Sequence, residues 1–132
     1  MDKWITAETD IFAHREVKSH FINPCCFGED FAAWLIKELS KEGNLNFRFS
    51  EPIQEDYGWG FWATNEKDRV WIAISYAGDG PQEPPPQWVI CVKRDPGLNV
   101  MRRLRSNTGS EELLSDGIRK LLKSNPAIRI VR

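Results

Sequence analysis

The stretch from Tyr57 to Tyr76 constrains this chain more than any other. It reads Tyr-Gly-Trp-Gly-Phe-Trp-Ala-Thr, then Asn65-Glu66-Lys67-Asp68, then Arg-Val-Trp-Ile-Ala-Ile-Ser-Tyr. Side chains alternate between the two faces of a strand. Val70, Ile72, Ile74 and Tyr76 therefore share one face, and Trp71, Ala73 and Ser75 the other. The polar linker is short enough for a hairpin turn. A chain holding this hairpin is committed to an antiparallel sheet, and the rest of the sequence must cover one of its faces.

Two segments can supply that cover. In residues 30–42, Phe31, Ala32, Leu35, Ile36 and Leu39 recur at the spacing of one helical face. Glu29 and Asp30 sit where the helix dipole favours negative charge, and Gly43 follows the last turn as a left-handed terminator. From Ser110, read as a helix cap, Leu113, Leu114, Ile118, Leu121 and Leu122 form a second stripe that Asn125-Pro126 stops. Residues 15–22, 45–49, 88–93 and 127–131 alternate as further strands. Residues 50–56 read as a polar connector, and 78–87, with four prolines, cannot be a central strand. Leu98, Met101 and Leu104 can anchor a short turn of helix. The resulting order is β-α-β-β-β-β-α-β. It predicts an α+β two-layer sandwich, a largely antiparallel five- to six-stranded sheet with two helices on one face.

At 132 residues the chain has the size of a single domain, 1–132. Residues 1–13 show no periodicity and read as a flexible tail or docking arm. Lys plus Arg number 18 and Asp plus Glu 19, for a net charge of -1, which argues against a strongly basic nucleic-acid binder. The charge is divided along the chain, with -7 over residues 1–92 and +6 over 93–132. There is no apolar run long enough for a membrane span and no leader-like start. Three cysteines, two of them the adjacent Cys25 and Cys26, do not make a disulfide framework and fit a reducing cytoplasm.

Chemistry-bearing patterns are sparse. Gly58, Gly60 and Trp62 share a strand face and predict a shallow notch, with Glu55 and Asp56 as acceptors at its rim. On the opposite face Tyr57, Trp59 and Phe61 are expected to pack under the helices. Among the six tryptophans, Trp59, Trp71 and Trp88 hold strand positions suited to a core. Trp34 and Trp62 then remain as candidate contact residues. Arg102, Arg103 and Arg105 form a basic cluster suited to an acidic protein partner. A helix-entry thiol at Cys25 or Cys26 can be reactive, but a buried inert thiol is the commoner outcome. His14 and His20 have no zinc-ligand spacing around them, and phosphate-loop, dinucleotide and nucleophile-elbow motifs are missing. No catalytic residue, cofactor or metal ligand is assigned.

The runs Asn23-Pro24-Cys25-Cys26-Phe27-Gly28-Glu29-Asp30-Phe31 and Glu51-Pro52-Ile53-Gln54-Glu55-Asp56-Tyr57-Gly58-Trp59 resemble segments of small bacterial hypothetical proteins. With the Trp88 strand the resemblance spans residues 20–131. It implies a bacterial single-domain protein and brings no activity with it. The leading expectation is a non-catalytic protein-binding or regulatory domain, adaptor- or immunity-like. The alternatives are a small-molecule binder or enzyme using the acidic-aromatic notch over residues 55–62, and weak nucleic-acid binding through 93–105.

Overall fold

In the computed structural model, the residues described are 3–12, 27–43, 45–77, 86–95 and 109–131. They form an α+β fold in which two helices cover one face of a curled antiparallel sheet. The strands are β1 (Lys3–Glu8), β2 (Arg48–Phe49), β3 (Ile53–Glu55), β4 (Gly58–Thr64), β5 (Arg69–Tyr76), β6 (Gln87–Asp95) and β7 (Arg129–Ile130). The helices are α1 (Glu29–Ser40) and α2 (Ser110–Ser124). Strand order across the sheet is β2-β4-β5-β6-β1-β7, with β3 beside β2 on the same edge of β4.

The hairpin that dominates the sequence is β4–β5, with Trp62 opposite Trp71 and Gly60 opposite Ala73. Its turn is held by Asn65, whose Oδ1 accepts from the backbone N–H groups of Lys67 and Asp68. Ile72, Ile74, Phe61, Ile90, Val92 and Trp88 face the helices and are fully buried. Phe31, Leu35 and Leu39 of α1, with Leu114, Ile118 and Leu122 of α2, close over them. Trp88 is the largest of these side chains; its Nε1 donates to the Thr9 carbonyl, which keeps the buried indole N–H satisfied.

Four expectations are corrected. Residues 3–8 are not a tail: β1 pairs with all of Gln87–Val92, and Ile5 and Ala7 are fully buried. The alternation there is short and uses Ala and Thr, so it lacks the apolar contrast that marks a strand. Residues 53–55 are strand rather than connector, because the edge of β4 that β2 pairs at Ala63 and Thr64 is continued by β3 at Gly58–Gly60. Ser110 is not the cap of α2. Gly109 occupies that place in a left-handed conformation, and Ser110 is the first helical residue. Gly43 does not terminate α1 in a left-handed conformation, since the positive-φ glycines are Gly28, Gly58 and Gly109. With β1 and β3 added, the sheet has seven strands where five or six were expected. The expected strand at 15–22 and the helical turn around Met101 lie outside the described residues. No described helix is long and apolar enough to cross a membrane.

Candidate functional site

Both described helices lie on one side of the sheet, and among the described residues the other side is lined by the outward residues of the strands and by Tyr57 and Val131 beside them. The strand register sets out rows across the sheet. One row runs Ile53, Gly60, Ala73, Cys91 and Trp4. To one side lies Trp62, Trp71 and Lys93, followed by Arg48, Thr64, Arg69 and Asp95. To the other side lies Glu55, Gly58, Ser75, Val89 and Thr6. Trp4 is 60% exposed, Tyr57 44%, Val131 40% and Ile53 38%, and all four belong to this face or its rim. Most large exposed apolar side chains of the described residues are thus gathered on one surface, a pattern that marks contact sites rather than scattered surface hydrophobes.

The aromatic part of this face is a connected group. Trp71 lays its ring across the backbone of Gly60; a Cβ there would stand 2.3 Å from Trp71 Cζ2 and 2.8 Å from the Ile72 carbonyl oxygen. Trp71 Nε1 donates to the Tyr57 hydroxyl oxygen at 2.7 Å. Trp62 contacts Trp71 with ring centroids 4.8 Å apart, and the Arg69 guanidinium sits 3.8 Å over the Trp62 ring. Cation–π contact of this kind favours Arg over an aromatic face. Burial pushes the Tyr57 hydroxyl pKa above its usual value, the hydrogen bond from Trp71 opposes this, and the charge of Glu55 adds to the rise. The Trp62 backbone is fixed from the edge by Ser50, whose Oγ accepts the Trp62 N–H and whose own N–H donates to the Trp62 carbonyl.

These contacts revise the expected notch. Gly60 does bring bare backbone to the surface, but the Trp71 ring fills the space above it. Glu55 and Asp56 stand exposed at the β3–β4 turn, and Trp62 is half-buried beside Trp71. Trp59 and Phe61 pack under the helices as expected, whereas Tyr57 turns out to the opposite face and pairs with Trp71. Trp71 is likewise on the outer face rather than in the core. Trp34 is on α1, in ring contact with Phe12 and Phe31, so it belongs to the other layer and does not join Trp62. Arg102, Arg103, Arg105, Cys25 and Cys26 lie outside the described residues. Trp4 and Trp71 are the outer-face aromatic residues that sequence reasoning did not single out. Each sits opposite a buried apolar series in its own strand, and that alternation was the available signal.

A second polar group lies at the far end of the hairpin. Ser110 Oγ donates to Asp68 Oδ2 at 2.7 Å, Arg94 Nη1 is 3.7 Å from Asp68 Oδ1, and Arg94 Nε is 3.9 Å from Glu111. The Asp68 side chain is fully buried. These contacts tie the β4–β5 turn and the end of β6 to the first turn of α2, which explains why Ser110 is used as a buried donor and not as a cap. Among the described residues no three His, Cys, Asp or Glu side chains converge on a metal position.

No family model matches the chain, and neither the curated proteins nor the solved structures contain a match to it.

Proposed function

We propose that this chain is a protein-binding domain of adaptor or immunity type, acting without catalysis, whose contact surface is the outer face of its sheet. The observation that carries this reading is the gathering of Trp4, Ile53, Tyr57 and Val131, all more than a third exposed, on the sheet face opposite the two described helices. Tryptophan, tyrosine and arginine are the side chains that most often anchor protein interfaces, and Trp62, Trp71, Tyr57 and Arg69 are joined here into one cluster. Rigid aromatic side chains also lose little conformational entropy on binding, which favours affinity over a surface of the same area built from long flexible chains. The cysteine usage supports a reducing, cytoplasmic setting, and the bacterial assignment rests on the resemblance noted above.

The test is affinity capture with the purified chain and with its Ala73→Arg variant, which places a long charged side chain at the centre of the outer face. A captured protein that binds the purified parent chain in a titration, and binds the variant at least tenfold more weakly, supports the reading. Equal binding by both moves the contact surface elsewhere and defeats it.

A further inference from the structure

We infer that a polar hollow between the edge of β1 and the flank of α2 binds a free acidic α-amino acid, with glutamate the best fit. The site is separate from the Trp62–Trp71–Tyr57 cluster and does not depend on the protein-binding reading. It starts beside Lys3 and Trp4. β7 pairs with β1 at Ala7 and Glu8, and the Val131 N–H donates to the Thr6 carbonyl. At Trp4 the edge carbonyl accepts from Arg119 Nη2 of α2 at 3.1 Å instead of from a strand. Beside this contact is a cavity of about 340 Å³ lined by Lys3, Trp4, Glu112, Ser115, Asp116 and Arg119. A second, of about 490 Å³, adjoins it at Asp116 and Arg119 and continues past Lys120, Lys123 and Ser124. Glu112, Ser115, Asp116, Arg119 and Lys123 recur at the three- and four-residue spacing of one helix flank, so α2 presents them together.

Ser115 sets this hollow apart from an ordinary gap between surface charges. It is 5% exposed and lines the first cavity, and among the described residues its hydroxyl has no hydrogen-bond partner. A buried hydroxyl without a partner is unfavourable, and a ligand carboxylate that accepts from it removes that penalty. Arg119 stands one turn further along the same row. The Trp4 carbonyl already orients its guanidinium, which has further N–H groups to give to a carboxylate.

The charges select the ligand. Lys3 lies 4.0 Å from Glu112, and Lys120 lies 3.9 Å from Glu42. Among the described lining residues, Arg119, Lys123 and Asp116 are then the charges that a ligand meets. Two cations and one carboxylate match a molecule with two carboxylates and one ammonium. Asp116 takes the α-ammonium, Ser115 and Arg119 the α-carboxylate, and Lys123 the side-chain carboxylate. Arg119 and Lys123 are four residues apart, about 6 Å along the helix. With bonds of about 1.5 Å, the two carboxyl carbons are about 5 Å apart in extended glutamate and about 4 Å apart in aspartate, so glutamate spans the pair better. Inorganic phosphate would set its charge against Asp116 and leave that carboxylate without a partner, which selects against it.

Isothermal titration of the full chain with L-glutamate, up to about 20 mM at fixed ionic strength, tests the inference. The expected result is saturable one-to-one binding with a Kd below about 1 mM. L-Aspartate, L-glutamine and N-acetyl-L-glutamate, which shorten the span or remove one charge, each bind at least about fivefold more weakly. Ser115→Ala weakens glutamate binding at least about fivefold and leaves the urea midpoint unchanged or raised, because it deletes a buried hydroxyl that lacks a partner. Asp116→Asn removes most of the advantage of glutamate over its N-acetyl derivative, and Lys123→Gln most of its advantage over glutamine. Both positions are exposed, so these two variants decide if Ser115→Ala fails to fold. Absence of saturation across the range overturns the inference. So does phosphate binding as tightly as glutamate, or glutamate binding that these variants leave unchanged. Ala73→Arg, on the outer face, binds glutamate as the parent does, so the loss of either reading leaves the other standing.

Discussion

Replacing Gly60 by alanine tests the central packing feature of the outer face. Gly60 has no positive φ, so alanine meets no backbone penalty there and even removes some freedom from the unfolded chain, worth about 0.4–1 kcal/mol in its favour. The obstacle is space. The new methyl would lie 2.3 Å from Trp71 Cζ2, 2.8 Å from Trp71 Cε2 and 2.8 Å from the Ile72 carbonyl oxygen. The Trp71 ring must leave β4. Doing so gives up its hydrogen bond to Tyr57, about 0.5–1.5 kcal/mol, and its contact with Trp62, about 0.5–1.5 kcal/mol. Residual crowding against the β5 backbone adds roughly 1–3 kcal/mol. These effects overlap, and with the unfolded-state gain subtracted Gly60→Ala is expected to destabilise by about 2–4 kcal/mol. Urea unfolding followed by tryptophan fluorescence measures it, and thermal unfolding should show a fall in melting temperature of roughly 4 °C per kcal/mol. Gly43→Ala is the control, since a Cβ there meets nothing within 4 Å. In a Trp71→Ala background two of the three close contacts are gone, so Gly60→Ala should then cost at least about 1 kcal/mol less than in the parent. A Gly60→Ala variant within about 0.5 kcal/mol of the parent, or costs that simply add, would refute the reasoning.

Other perturbations probe different parts of the molecule. Ser110→Ala removes the donor to the fully buried Asp68 carboxylate and should cost about 1.5–3 kcal/mol in urea unfolding. Trp88→Ala, which empties the largest buried site and strands the Thr9 carbonyl, should cost about 3–5 kcal/mol. Trp4→Ala should change stability by no more than about 0.5 kcal/mol, because its ring is 60% exposed; a larger loss would show that the ring supports the fold itself. The Tyr57 hydroxyl, with its pKa raised, should ionise at a higher pH than free tyrosine when followed by ultraviolet absorbance. The unfolded chain releases that proton first, so the associated stability is complete below the ordinary tyrosine pKa and declines as pH rises through it. Tyr57→Phe should flatten that alkaline decline, and an unchanged profile would remove Tyr57 as its source.

The parts of the fold that were legible in sequence are those where neighbours in the chain are also partners in space. The β4–β5 hairpin pairs residues across a four-residue turn, and the two amphipathic helices announce their buried stripes by spacing alone. β1 was not legible, because its strand character comes from β6, about eighty to ninety residues away, whose Gln87–Val92 pairs with all of Lys3–Glu8. β3 escaped notice for a similar reason: three residues beside a proline become strand only because β4 presents an open edge to them. Ser110 looks like a cap in isolation, yet the buried Asp68 claims its hydroxyl. At the candidate site, alternation placed Gly58, Gly60 and Trp62 together on one face. It could not say that Trp71 would lie down over Gly60, since that choice depends on the Tyr57 hydroxyl and the Trp62 ring being in reach.

By itself, then, the sequence determined the class of fold and the two faces of the central strands, because period-two and helical patterns follow from backbone geometry and need no distant partner. Only the tertiary structure decided which face the helices would cover across the full sheet, and therefore which aromatic residues would be left in view. Burial is a property of whole layers: Trp88 and Trp4 differ little as residues, and it is the packing of α1 and α2 on one side that buries the first completely and leaves the second 60% exposed.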